Sequence, residues 1–195
     1  VYETLQVMNT LQPGLCVLGT RLPGCFNVFE MSVRAVLGQQ ITVKAASTLA
    51  ARLVAAYGTQ VQTGIGGLTH SFPAPAAILA LGENISGHLG KLGIISARAN
   101  TIYQLARVLA DEKNDFGFCG NLEEEMQKLQ SIRGIGSWTA QYIAMRAMGW
   151  PDAFLPTDAG IKKALPDHTP KELQALSEAW RPWRSYATVN LWNTL

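Results

Sequence analysis

Residues 129–140 read LQSIRGIGSWTA: Leu129 and Ile132 close one apolar run, Gly134-Ile135-Gly136 turns the chain, and Ser137, Trp138, Thr139 and Ala140 open another. The pattern predicts two helices joined by a tight turn. Glycine on both sides of Ile135 permits positive φ and lets a ligand come close to the main chain. The N–H groups that open the second helix have no partner within it, and the helix dipole adds to their attraction for an anion. Arg133, Gly134, Ile135, Gly136, Ser137 and Thr139 are therefore candidate phosphate-binding residues, in a role that needs backbone geometry more than net charge. A Gly-x-Gly turn also serves merely to join two packed helices, and taken alone it leaves both readings open.

The rest of the chain points to an all-α protein. Apolar residues recur at spacings of three and four, and no convincing alternating strand follows the first 25 residues. Val28, Met31, Ala35 and Val36 mark one helix face, and Val43, Ala46, Leu49, Leu53 and Val54 mark the next, with Thr42 as its N-cap. Stretches 64–75 and 114–120 are expected to be loops, with helices over 75–81 and over 96–111, the second capped by Ser96. Asn121 caps a helix through Gln130, Asp158 begins another, and Thr169-Pro170-Lys171-Glu172 is a helix start with proline in the first turn. Trp180 and Trp183 are expected in the core.

Composition bounds the function. With 195 residues, 48% apolar and 15% charged, the chain suits one compact unit or two small lobes sharing a cleft, and it is not a disordered chain. No apolar run reaches the roughly 20 residues that span a bilayer, and no charged-then-apolar leader precedes Val1. A cytoplasmic protein is expected, associated with the nucleoid if bacterial. The three cysteines and three histidines are scattered, without the spacing of a disulfide framework or a zinc site. A net charge of +2 does not announce a nucleic-acid binder, so that case rests on motifs. The chain opens on Val1 and stops inside a helical stretch, 183–195, as expected of a trimmed piece of a longer protein.

Three separated stretches, in order, carry a resemblance to a known family. IRGIGSWTAQYIAMRAMGWPDAFLPTDAGIKK, Ile132 to Lys163, resembles the hairpin, Gly/Pro loop and aspartate of the helix-hairpin-helix (HhH-GPD) DNA glycosylases. RLPGCFNVFEMSVRAVLGQQIT, Arg21 to Thr42, and WRPWRSYATVNLW, Trp180 to Trp192, resemble the AlkA-type 3-methyladenine glycosylase II branch. The likeness runs from Arg21 to Leu195. It implies a helical glycosylase domain over 21–195, with two lobes around a cleft and the hairpin at 130–140, leaving 1–20 as an N-terminal remnant or linker.

The resemblance makes Asp158 the catalytic carboxylate. A carboxylate at a helix start, held by main-chain N–H groups, is well placed beside developing positive charge. N-glycosidic cleavage passes through an oxocarbenium-like sugar, and an alkylated purine is already cationic and leaves without a dedicated acid. A plain N-cap role is compatible with this one. Trp138, Tyr142 and Trp192 are implied as the pocket for an extruded base, read by stacking and cation–π attraction. Family members that also nick the strand place a lysine where this chain has Trp138, so hydrolysis without lyase activity is expected. Gln40 occupies the position of a residue pushed into the duplex, a leucine in the AlkA pattern. Core packing for the aromatics and a polar interhelical loop for Gln39-Gln40 are the plainer readings.

Basic residues Arg133, Arg146, Lys162, Lys163 and Arg184 are candidate phosphate contacts, most of them as ordinary solvated charges. The likeness implies no required cofactor. A monovalent cation on the carbonyls of Gln130, Ile132 and Gly134 is implied, because some family hairpins hold one. The iron–sulfur cluster of the endonuclease III branch needs a four-cysteine set, and this chain has three cysteines. The expected partner is double-stranded DNA carrying alkylated bases, bound by a monomer. A glycosylase for an oxidised or mismatched base, a noncatalytic hairpin that only binds DNA, and a helical protein-interaction domain are the alternatives.

Overall fold

A computed structural model describes residues 2–111 and 121–195; Cys119 and the loop expected over 114–120 lie outside them. In chain order the helices are α1 (Tyr2–Leu11), α2 (Val28–Leu37), α3 (Val43–Tyr57), α4 (Pro75–Leu79), α5 (Ile85–Gly90), α6 (Ser96–Leu109), α7 (Leu122–Ser131), α8 (Ser137–Ala147), α9 (Ala159–Ala164), α10 (Pro170–Ser177) and α11 (Arg184–Trp192). Contacts divide the chain into two compact units, one of Val1–Cys25 with Ala140–Leu195 and the other Phe26–Thr139. Among the described residues no helix is long and apolar enough to cross a membrane.

The unit Phe26–Thr139 packs on α6, whose Ala99, Ile102, Leu105 and Ala106 are wholly buried against α2, α4 and α5. Each such Ile or Leu contributes about 2 kcal/mol of transfer free energy, more than the intrinsic propensity of so short a helix. Asn27 caps α2 by accepting from Glu30 N at 2.8 Å, and Thr42 caps α3 by accepting from Ala45 N at 3.2 Å. Ser96 does not cap α6. Ile95 takes that position, because Ile94 is buried just before it and Ala99 N already donates to the Ile95 carbonyl at 3.0 Å. Helix α5 had no sequence expectation. His70–Ser71, inside the stretch 64–75 read as loop, pairs antiparallel with Thr59–Gln60 just before it. These two-residue strands are closed by main-chain bonds and bury no residue, so no alternation could signal them.

In the other unit, α1 and the turn after it contribute to the core. Leu5 and Met8 of α1, followed by Leu15 and Cys16, join Phe154, Ile161, Leu173, Trp180, Ala187 and Leu191 in one core cluster. Phe154 meets Trp180 edge-on at 5.8 Å, and Trp183 packs against the same cluster. Asn9 clamps the turn after α1, accepting from Cys16 N at 2.7 Å and donating to Cys16 O at 2.5 Å. Burial pushes the Cys16 thiol up to about 11. Thr169 and Glu172 close a capping box on α10.

Candidate functional site

Asp158 is the N-cap of α9, and its Oδ1 accepts three hydrogen bonds: from Gly160 N at 2.8 Å, Ile161 N at 3.1 Å and the Trp192 indole Nε1 at 2.8 Å. Two come from main chain that the helix start holds in place, and one from a ring on α11. Gly160 makes the third possible. A Cβ there would lie 2.7 Å from Trp192 Cδ1, 3.0 Å from Nε1 and 3.0 Å from Asp158 Oδ1. The half-buried indole lies against the carboxylate because residue 160 has no side chain.

The loop before Asp158 is sewn to the start of α11. Arg184, 5% exposed, donates from Nε to Asp152 Oδ1 at 2.7 Å and from Nη2 to Oδ2 at 2.9 Å, with a further bond from Nη2 to the Asp152 carbonyl at 2.9 Å. Arg181 Nη1 reaches Asp152 Oδ2 at 2.6 Å. Ser185 Oγ donates to Trp150 O at 2.7 Å and accepts from Ala153 N at 2.9 Å. The loop leading to Asp158 and the helix carrying Trp192 are thus fixed to each other. The expectation of a phosphate contact at Arg184 fails, because its guanidinium is buried and committed to Asp152. Glu178 is held below its ordinary carboxylate range, chiefly by a hydrogen bond from Arg181, and Arg181 is raised chiefly by that same bond.

Of the aromatic residues expected around a base, Tyr142 and Trp192 come together, ring centroids 6.2 Å apart and planes at 44°. Arg146, one turn further along α8, places its guanidinium 5.8 Å from the Tyr142 ring centre, so that ring already shares its π cloud with a cation. Trp138 lies one turn before Tyr142 on α8 and is half-buried. Lys162 and Lys163 are exposed on α9.

In the unit Phe26–Thr139 the hairpin has the expected shape: α7 ends at Ser131, Gly134 takes φ +96°, and α8 begins at Ser137. Ile135 and Thr139 are buried, while Arg133, Gly134, Gly136 and Ser137 are exposed. A Cβ at 134 would sit 2.0 Å from Thr101 Oγ1, which donates to the Arg133 carbonyl at 3.0 Å. Gln39 Nε2 donates to Gly134 O and to Thr139 Oγ1, each at 2.9 Å, and the Gln39 carbonyl accepts from Arg98 Nη2. Its neighbour Gln40 is exposed with φ +54°, the one positive φ outside glycine among the described residues.

Sequence reasoning gave the weight of this loop to Gln40 and missed Gln39, Arg98 and Thr101, whose partners lie 32 to 100 residues away. It also missed Asp152, Ser185 and Gly160. The carbonyls of Ile132 and Gly134, implied as cation ligands, accept from Ile135 N at 3.0 Å and from Gln39. Among the described residues no three His, Cys, Asp or Glu side chains gather as a metal-binding group.

The description "HhH-GPD superfamily base excision DNA repair protein" matches residues 33–183. The chain is 38% identical over 176 residues to a DNA-3-methyladenine glycosylase 2 of Escherichia coli, covering 90% of this chain and 61% of that protein. It is 44% identical over 181 residues to a "Probable bifunctional transcriptional activator/DNA repair enzyme AlkA" of Mycobacterium tuberculosis, covering 91% of this chain and 35% of that protein. Among solved structures, a 3-methyladenine DNA-glycosylase from Archaeoglobus fulgidus superposes with a TM-score of 0.75 at 25% identity, over 97% of this chain and 64% of that one. The chain therefore spans between about a third and two thirds of the length of these relatives.

Proposed function

Because the chain belongs to the HhH-GPD superfamily of base excision DNA repair proteins, we propose that it is a DNA glycosylase that extrudes alkylated purines of the 3-methyladenine type and hydrolyses their N-glycosidic bonds. The observation that carries the reading is the carboxylate of Asp158, fixed through Oδ1 by two main-chain N–H groups and an indole.

A carboxylate set in place before the reaction stabilises a sugar cation without reorganising as charge develops, so electrostatic stabilisation is the main source of rate enhancement here. An N3- or N7-alkylated purine carries positive charge before cleavage and leaves as a neutral base. A lone carboxylate therefore suffices, serving the sugar cation and orienting the water that attacks C1′. Trp192 lies against that carboxylate and presents a π face to the base. With Arg146 already over Tyr142, Trp192 is the better of the two for a cationic ring. The hairpin's exposed main chain grips a phosphate, and Gln40 fills the gap that the extruded base leaves. Trp138 stands where strand-nicking relatives carry lysine, and tryptophan forms no Schiff base, so the enzyme hydrolyses without cleaving the strand.

Incubating the protein and its Asp158→Asn variant with methylated duplex DNA, then separating the released bases by chromatography, tests the reading. The unmodified protein releases alkylpurine and the variant loses nearly all activity. No release by the former refutes the substrate class, and equal release by both refutes the role of Asp158. Borohydride treatment traps no covalent complex; a trapped complex refutes hydrolysis without lyase.

A further inference from the structure

Gln39 has a place in the fold that the proposed chemistry leaves unused. Both hydrogens of its amide are committed, one to the hairpin carbonyl of Gly134 and one to the Thr139 hydroxyl, each at 2.9 Å, and its own carbonyl receives Arg98. Thr101, on the same helix α6 as Arg98, holds the other side of the turn through Arg133 O at 3.0 Å. All these residues belong to one compact unit. One side chain thus ties the α2–α3 connection to the hairpin, with α6 behind both.

The next residue shows what the tie achieves. Gln40 adopts φ +54° while exposed. A non-glycine residue holds such a conformation at a cost, and keeps it only where its surroundings over-determine the chain. The bonds of Gln39 to the turn, the hydroxyl and Arg98 supply that constraint directly before Gln40, and Thr42 supplies a cap shortly after it. Untied, the connection would relax to ordinary φ values and Gln40 would point elsewhere.

We infer that Gln39 is a positioning residue: it locks the wedge loop to the phosphate-gripping hairpin, so that Gln40 is preformed for insertion and the duplex is opened in register with the backbone grip. This rests on the proposed DNA glycosylase activity and deepens it. Binding and opening become one rigid event, and base extrusion depends on a residue that itself need not touch DNA.

The test measures opening without excision. A duplex carrying a tetrahydrofuran abasic analogue, with 2-aminopurine as its neighbour, is titrated with protein; fluorescence reports unstacking and anisotropy reports affinity. The variants are Gln39→Leu, which keeps the bulk and removes both donors, Gln40→Gly, which removes the wedge and accepts positive φ, and the double variant. At saturation Gln39→Leu loses at least about half of the fluorescence rise while its affinity stays within about threefold, and in the Gln40→Gly background it causes no further loss. If Gln39→Leu fails to fold, Thr139→Val, which removes one acceptor, gives a smaller loss of the same kind. A full rise with Gln39→Leu overturns the inference, as does an equal further loss in the double variant, which would mean that Gln39 acts independently of Gln40. No rise with the unmodified protein overturns it too, whatever the base-release assay returns. A normal rise without release of alkylpurine refutes the substrate reading and leaves the tie standing.

Discussion

The carboxylate of Asp158 and the turn at Gly134 are both held by converging hydrogen bonds, with the roles of main chain and side chain exchanged. At Asp158 two main-chain N–H groups and one indole donate to a single side-chain oxygen. At the turn, the Gln39 amide and the Thr101 hydroxyl donate to the main-chain carbonyls of Gly134 and Arg133. Where the working group is a side chain, ordered backbone positions it; where the working surface is backbone, side chains from distant helices position it. In both places a glycine stands where a Cβ would collide with the very group that does the holding.

Breaking each anchor separately tests this contrast. The largest effect is expected at Asp152→Ala, which leaves the buried Arg184 guanidinium with only its longer ion pair to Glu178 and lowers the unfolding free energy in urea by about 3 kcal/mol. Replacing both partners, Asp152→Leu with Arg184→Met, recovers most of that loss; if it recovers none, the pair holds more than charge. Gly160→Ala pushes the indole off the carboxylate, and a displacement near 1 Å slows single-turnover base release by about 100-fold while duplex affinity is kept.

Gly134→Ala acts mainly on binding. Its φ of +96° and the clash with Thr101 deform the hairpin, and losing one charge-assisted phosphate contact weakens duplex binding by about tenfold, while release at saturating protein falls no further than in Gln39→Leu, whose tie ends on the same Gly134 carbonyl. A loss of affinity at Gly160, or a loss of rate at Gly134 beyond that of Gln39→Leu, would show that the two anchorages are not separate devices. The smallest effect belongs to Thr42→Ala, which removes the α3 cap and costs about 1 kcal/mol of stability in denaturant titration, with neither rate nor affinity altered.

What could be read from the sequence follows the range of the interactions. The hairpin was legible because its signal is local, two glycines between apolar runs, and the caps at Thr42, Asn121, Asp158 and Thr169 were legible because each acts within three residues. Ser96 misled because the burial of Ile94 set the helix start one residue earlier. Arg184 looked like any surface arginine until the fold brought Asp152 to it from 32 residues away. Gln39 and Gln40 are adjacent and chemically identical, and only tertiary structure tells which is the tie and which projects. Gly160 carries no signal at all until Trp192 lies over it.

The placement of Cys16 also has an experimental use. Only the thiolate reacts with alkylating reagents, and with its thiol pushed up to about 11 the buried side chain is essentially inert while α1 stays docked. Labelling at Cys16, followed by peptide mapping, is therefore a clock: its slow rate counts the moments when the N-terminal helix lifts from Trp180 and Leu191, and it reads the free energy of that excursion with no denaturant present.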